Sequence, residues 1–307
     1  MRLCVIGCGG VGSIYAAHLA LRPGIEVWAY DVNTQHVDAI NQAGLRVDGE
    51  HTCTSEVRAT TDASKIPACD FGIVATKVYH TRDAVAATAH ALRSGVVCSV
   101  QNGVGNEDII AEYLSDIISG ATLLGGHLTS PGVVNFDTRG TTWIGAGGGK
   151  VSVEQMDTLA QALSLCGLET LVVDNIRGMK WAKLIFNAAA NPLCALTSLP
   201  FGEVYKQTTL NNLMMGLARE GMAVAAAMGI QLDSSPIEML EKASEAASSH
   251  RPSMLSDVIG KRKTEVAALN GGIVKYAQQV GIQCPLNEAI VGLVTGVENS
   301  WLLPSLK

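Results

Sequence analysis

The chain has 307 residues, 48% hydrophobic and 16% charged, with 22 basic and 28 acidic side chains for a formal net charge of −6. That balance describes a globular protein with length for one large or two ordinary domains and excludes a disordered chain. The longest basic run, Lys261-Arg262-Lys263, is too short for a nucleic-acid footprint and reads as a solvated helix face, and no apolar run approaches the roughly 20 residues of a membrane span.

The chain opens with an apolar run at 3–6 that breaks at glycines, so it reads as a buried strand rather than a signal peptide. Gly7-Cys8-Gly9-Gly10-Val11-Gly12 follows, and 13–20 has helical spacing. A G-x-G-x-x-G run between a strand and a helix carries physical content. The first glycine permits the tight turn, the second lets backbone approach a pyrophosphate, and the third lets helix and strand pack closely. The helix N-terminus adds free N–H groups and partial positive charge. Gly7, Gly9, Gly10, Val11 and Gly12 are therefore candidate dinucleotide contacts, with Cys8 a permissive filler.

The second strand, 25–30, ends at Asp31. An acid at about 20 positions beyond the glycines suits a ribose 2′-hydroxyl and repels a 2′-phosphate, which favours NAD over NADP. The competing use of Asp31 is as N-cap of the next helix, on which His36 is expected to be exposed. Residues 45–60 read as a hairpin or two short strands. Buried strands at 71–76 and 96–100 are followed by Lys77 and by Gln101-Asn102-Gly103. In a doubly wound sheet ligands sit at the carboxyl ends of strands, which makes Lys77 and Asn102 candidate cofactor contacts.

Residues 120–149 carry three strand-like runs expected to add antiparallel strands to the same sheet. A helix near 151–165 and a strand at 168–173 close a dinucleotide-binding domain, 1–174. The remainder, 175–307, reads as an all-helical substrate and dimerisation domain, with breaks near Asn191-Pro192, Leu199-Pro200, Ser235-Pro236, Arg251-Pro252 and Cys284-Pro285 and a polar helix end at 241–249. The expected fold is thus an α/β Rossmann-type doubly wound sheet with added antiparallel strands, followed by an all-α domain. Within the helical part, Lys183, Asn187 and Asn191 fall at i, i+4 and i+8 on one face of an otherwise apolar helix. Polar groups in that setting need partners, from the protein or from a ligand. Lys180 lies on the same helix, roughly 60° off the Asn187 direction.

The eight cysteines are scattered, without C-x-x-C or nearby histidine at ligand spacing. The pattern points to reduced thiols in a cytoplasmic protein, with no metal. The Gly/Ala/Met-rich run 214–228 permits close helix contacts and so a homodimer; ordinary core packing explains it equally.

Taken together, Gly7-x-Gly9-x-x-Gly12, Lys77, Gln101-Asn102-Gly103-x-Gly105, Lys183-Leu184-x-x-Asn187-x-x-x-Asn191-Pro192-Leu193, Ser253-Met254-Leu255-x-Asp257, Thr264-Glu265-Val266, Asn270-Gly271 and Cys284-Pro285-Leu286-Asn287 occur in an order and spacing that resembles the 2-dehydropantoate 2-reductase (ketopantoate reductase) family nearly end to end. The resemblance implies NAD(P)H-dependent reduction of 2-dehydropantoate or a similar branched 2-oxo acid, a step of pantothenate biosynthesis. It implies Lys183 as general acid and Glu265 as its acidic partner. Asn187, Asn191 and Ser253 match substrate-binding positions, Lys77 and Asn102 cofactor-side contacts, and Gly126 a backbone contact to the nicotinamide. Residue by residue, the competing uses are a snorkelling Lys183, a Ser253 N-cap and a surface Glu265 paired with Lys261. Asp31 stands where NADP-using members carry a basic residue, and Phe201 where many place a further substrate-binding Asn. A hydroxy acid dehydrogenase acting on another substrate and a non-catalytic NAD-sensing protein are the alternatives.

Overall fold

Short apolar runs such as 3–6, 71–74 and 96–99 become strands buried on both faces, the signature of a parallel sheet covered by helices. The computed structural model describes residues 1–246 and 250–303; of the polar helix end expected over 241–249, residues 247–249 lie outside the described residues, as do 304–307 of the expected second domain. In chain order the α/β part comprises β1 (Arg2–Ile6), α1 (Gly10–Ala20), β2 (Glu26–Tyr30), α2 (Thr34–Ala43), β3 (Leu45–Gly49), β4 (Cys53–Ser55), β5 (Arg58–Thr60), β6 (Phe71–Val74), α3 (Thr81–Thr88), β7 (Val96–Ser99), α4 (Asn106–Ala111), β8 (Ile117–Thr122), β9 (Gly125–Ser130), β10 (Val133–Thr138), β11 (Thr142–Gly148), α5 (Val153–Ser164) and β12 (Thr170–Val172). The helical part comprises α6 (Ile176–Thr197), α7 (Phe201–Lys206), α8 (Thr208–Ala227), α9 (Pro236–Ala246), α10 (Ser253–Ile259), α11 (Asn270–Val280) and α12 (Pro285–Ser300).

The main sheet has the order β12-β11-β8-β7-β6-β1-β2-β5. It is parallel throughout except for the antiparallel β8–β11 pair. From β1 the chain builds outward to β2 and β5, then restarts at β6 on the other side, so the topological switch point lies between β1 and β6. One expectation is corrected. Of the three strand-like runs over 120–149, the first and last fall in β8 and β11 of the main sheet, but the middle one is β10, which pairs with β9 in a second sheet, β4-β3-β10-β9, and runs parallel to β3. The hairpin expected over 45–60 is β3–β4; β5 crosses back to the edge of the main sheet.

The second sheet explains α1. This helix packs on β1 and β2 through one side and on β3, β4, β9 and β10 through the other. Its residues Gly12–Leu19 are all buried, including Ser13, Tyr15 and His18. The buried polar atoms are satisfied locally: Tyr15 shares its hydroxyl with Thr142 at 2.7 Å and Thr122 at 3.2 Å, and Ser13 donates to the Cys8 carbonyl at 2.7 Å.

Two compact units emerge, the first Met1–Gln101 with Gly105–Ile176, the second Asn102–Val104 with Arg177 onward. The second has its own core, from Ile185 and Ala189 through Leu217, Val224 and Ile273 to Val294. The run expected to offer a dimer surface lies largely in this core: Met214, Met215, Leu217, Ala218, Gly221, Val224 and Ala225 of α8 are buried, so core packing accounts for it. The break expected at Asn191-Pro192 is absent, for α6 continues through Pro192 to Thr197. Proline cannot donate to the Ala188 carbonyl one turn back. The buried Asn270 amide does so instead, at 2.8 Å. Asn270 also donates to Asn287 at 3.0 Å, and Asn287 donates to Glu220 at 2.7 Å, tying α6, α8, α11 and α12 together. Among the described residues no helix is long and apolar enough to cross a membrane, and no disulfide joins the cysteines.

Candidate active site

The glycine run ends β1 and starts α1 at the switch point. Gly7 has φ +89°, a left-handed conformation that a side chain would strain. A Cβ on Gly12 would collide with the Gly7 carbonyl, so the helix can sit this close to the strand only with glycine there. Gly9 differs, since a Cβ built on it meets nothing within 4 Å. That open side, beside the donor N–H groups of the first turn of α1, is a surface on which a pyrophosphate fits. Val11 is half-buried in that turn. Gly10 is pressed against the second sheet, where the Gly126 carbonyl occupies the place of its missing Cβ. Gly126 thus has an evident packing role in closing the loop from the β9 side.

Asp31 is half-buried at the end of β2. Its carboxylate accepts the Cys8 backbone N–H at 2.7 Å and the Asn33 N–H at 2.9 Å. The N-cap reading of Asp31 is corrected: Asn33 caps α2, its side chain accepting from His36 N at 3.2 Å. The expected exposure of His36 is also corrected. Its ring is fully buried, accepts the Gly132 N–H through Nδ1 at 2.9 Å and places Nε2 3.4 Å from Ser13 Oγ. Burial pushes its pKa down, so it brings no cation toward Asp31. Burial together with the charges of Asp31 and Asp62 raises the Tyr30 phenol, which marks this strand end as acidic. Lys77 follows β6 and is half-buried.

In the second unit, α6 carries Lys180, Lys183, Asn187 and Asn191. Lys183 Nζ donates to Asn102 Oδ1 at 3.1 Å, and Asn102 Nδ2 donates to Glu265 Oε2 at 3.1 Å. One amide therefore joins the cation to the carboxylate. Glu265 is 7% exposed and lies between α10 and α11, so the surface pairing with Lys261 is excluded. Thr264 anchors its segment by giving backbone and hydroxyl hydrogens to Glu298, at 2.8 and 2.6 Å. Burial brings the Lys183 pKa down from 10.5 to about 8; the Lys180 charge adds to the drop and Glu265 opposes it. A lysine in this state exchanges its proton near neutral pH.

Asn187 is half-buried and Asn191 is buried, both on α6 with Lys183. Ser253 is exposed at the start of α10 and makes no capping hydrogen bond, Pro252 being the N-cap, so the capping role is excluded. Phe201 packs against Phe186 and Tyr205, with ring centroids 6.0 and 6.2 Å away, and is 2% exposed: it is core. The Lys261-Arg262-Lys263 run is exposed as expected but lies beyond the end of α10, and Arg262 pairs with the buried Asp257 at 3.1 Å. Sequence reasoning missed the amide link through Asn102, which sits 81 residues from Lys183 and 163 from Glu265. It also missed the burial of Lys180, 6% exposed. The signal at hand was the glycine pair around Asn102: Gly103 (φ +79°) and Gly105 (φ +86°) allow a turn whose backbone comes close to Ala268.

The family model described as ketopantoate reductase PanE/ApbA matches residues 3–149, and its C-terminal counterpart matches 175–298. A 2-dehydropantoate 2-reductase of Pyrococcus horikoshii is 35% identical over 97% of this chain and 98% of its own length. A solved PanE/ApbA family ketopantoate reductase from Ralstonia eutropha superposes with a TM-score of 0.91 at 30% identity, covering 99% of this chain and all of its own. D-mandelate dehydrogenase, solved with NADH and anilino(oxo)acetate, superposes with a TM-score of 0.92 at 26% identity over 99% of this chain and all of its own.

Proposed function

The chain belongs to the ketopantoate reductase family, a family of nicotinamide-dependent oxidoreductases acting on CH–OH groups, and from that premise we propose that it reduces 2-dehydropantoate or a similar branched 2-oxo acid with NADH, Lys183 acting as general acid. The observation that carries the reading is the Lys183–Asn102–Glu265 chain, with the lysine pKa brought to about 8. The bound dinucleotide supplies the hydride for the C2 carbonyl. Gly9, the first turn of α1 and Asp31 hold it, the glycine by its open side and the aspartate by accepting from a ribose diol. Lys183 stabilises the negative charge developing on the carbonyl oxygen and transfers its proton there. Asn102 fixes the ammonium and Glu265 keeps it charged in a setting that would otherwise neutralise it. Asn187, Asn191 and Ser253 supply polar groups for the acid.

The test is loss of NADH absorbance with a panel of 2-oxo acids. Turnover of 2-dehydropantoate or a branched analogue supports the reading; NADH binding without turnover of any 2-oxo acid leaves the NAD-sensing alternative. A second reading, a dehydrogenase oxidising another D-2-hydroxy acid, is favoured by the D-mandelate dehydrogenase superposition. Faster turnover of D-mandelate with NAD than of 2-dehydropantoate with NADH would select it.

Cofactor choice is assigned to Asp31. Asp31→Arg removes the acceptor and places a cation at an acidic strand end. Hydrogen bonds to a charged group contribute about 1.5–3 kcal/mol, so the kcat/KM ratio of NADPH to NADH should rise by roughly 10- to 100-fold. Equal use of both cofactors by the unsubstituted enzyme would count against this assignment.

A further inference from the structure

Histidine and cysteine spacing along the chain leads to an expectation of no metal, yet the second sheet folds three such side chains together at the other end of α1 from the glycine run. His18 lies near the C-terminal end of α1, His51 in the turn between β3 and β4, and Cys53 at the start of β4. One ligand atom from each can be chosen so that all lie within 4.8 Å of one another. We propose that His18, His51 and Cys53 form a site for a borderline-soft divalent ion, zinc foremost, that clips α1 to the β3–β4 hairpin.

The hydrogen bonds prepare the ligands. His18 Nδ1 lies 2.8 Å from the Ile14 carbonyl, which can only accept, so Nδ1 carries the proton and Nε2 presents a lone pair. This is the arrangement in which a metal-binding histidine is oriented by a carbonyl behind it. That Nε2 lies 3.1 Å from His51 Nδ1. Tetrahedral zinc, with bonds of about 2.0–2.1 Å to nitrogen and about 2.3 Å to sulfur, places its ligand atoms roughly 3.3–3.6 Å apart. The imidazole pair, at 3.1 Å, has to open by a few tenths of an ångström to meet that spacing, and the Cys53 sulfur, within 4.8 Å of a ring nitrogen of each histidine, has to draw in.

The surroundings suit a closed-in but reachable ion. His18 is 2% exposed, and Phe136 of β10 lies edge-on to its ring at 5.6 Å. His51 and Cys53 are half-buried, which leaves the fourth position to water. Two changes accompany binding. Without metal, His51 Nδ1–H donates to His18 Nε2; with metal, that proton moves to His51 Nε2 and Nδ1 binds. Cys53 releases its thiol proton to solvent as the metal–sulfur bond forms, so one proton leaves per ion.

The test is titration of the chelator-treated full-length protein with Co2+, followed by displacement with Zn2+. One equivalent of Co2+ should bind with a thiolate charge-transfer band and tetrahedral d–d bands. Zn2+ should abolish both and raise Tm. Cys53→Ser should remove the charge-transfer band, and His51→Ala should weaken binding by tenfold or more. Both side chains are half-exposed, so the folded state of each variant is checked by circular dichroism. Absence of the band, its persistence in Cys53→Ser through another cysteine, or unchanged affinity in His51→Ala would each overturn the proposal.

Discussion

Lys183→Ala is expected to lower kcat by on the order of 10²-fold or more, about 2.7 kcal/mol of transition-state stabilisation, with a smaller effect on KM. The reason is that proton transfer and charge stabilisation at the carbonyl oxygen act in the transition state, not in ground-state binding. Lys183→Arg, which keeps the charge but holds its proton too tightly to give it up, should not restore the rate. The sign of the pH dependence follows from the same group. A general acid works only while protonated, so the rate of reduction should be level below about pH 8 and fall tenfold per unit above it. Substitutions of the neighbours should move that falling limb in opposite directions. Lys180→Met removes a like charge and raises the pKa, shifting the limb to higher pH. Glu265→Gln removes the opposing carboxylate and shifts it lower. Both are read from pH–rate profiles of NADH oxidation. An unchanged kcat in Lys183→Ala removes the residue from the mechanism, and a limb near 10.5, the ordinary lysine value, would mean that burial does not tune it.

Local backbone demands were legible in the chain and long-range ones were not. The glycine run announced its turn because Gly7 needs a positive φ and Gly12 cannot carry a side chain. Both constraints are written in residue type within a few positions. The alignment of Lys183, Asn187 and Asn191 needed only the helical period, and these residues do share α6. Where the reading failed, a distant partner decided. The strand β10 looks like an addition to the main sheet until β3 offers a second edge, some 90 positions upstream, to pair with. His36 looks exposed on a polar helix until the Gly132 N–H reaches its ring from the β9–β10 turn, 96 residues on. Asn102 looks like a turn residue at a strand end, and what makes it part of the lysine environment is a pair of hydrogen bonds to α6 and to the segment before α11. Spacing rules carry no information about such contacts, which depend on how sheets and helices stack.

Asn270→Ala should destabilise the helical unit by roughly 2–4 kcal/mol, a large fraction of ordinary domain stability, because it strands two buried acceptors, the Ala188 carbonyl and Asn287 Oδ1. Part of that loss is offset, since Asn270 Oδ1 is itself buried with no partner among the described residues and its removal relieves a cost. The informative measurement is a double-mutant cycle with Pro192→Ala, read by urea unfolding in far-ultraviolet circular dichroism. Restoring an N–H at 192 gives the Ala188 carbonyl its normal helical donor. If Asn270 stands in for that donor, Asn270→Ala should cost about 1 kcal/mol less in the Pro192→Ala background than in the unsubstituted chain. Strict additivity would mean that the amide stabilises α11 and α12 without serving α6. The distinction bears on catalysis, because Asn191 immediately precedes the proline and Lys183 sits two turns before Asn191 on the same helix. A helix that frayed at Ala188 would loosen the amides while leaving the lysine in place. Asn270→Ala should therefore raise KM for the oxo acid more than it lowers kcat, whereas Lys183→Ala does the reverse.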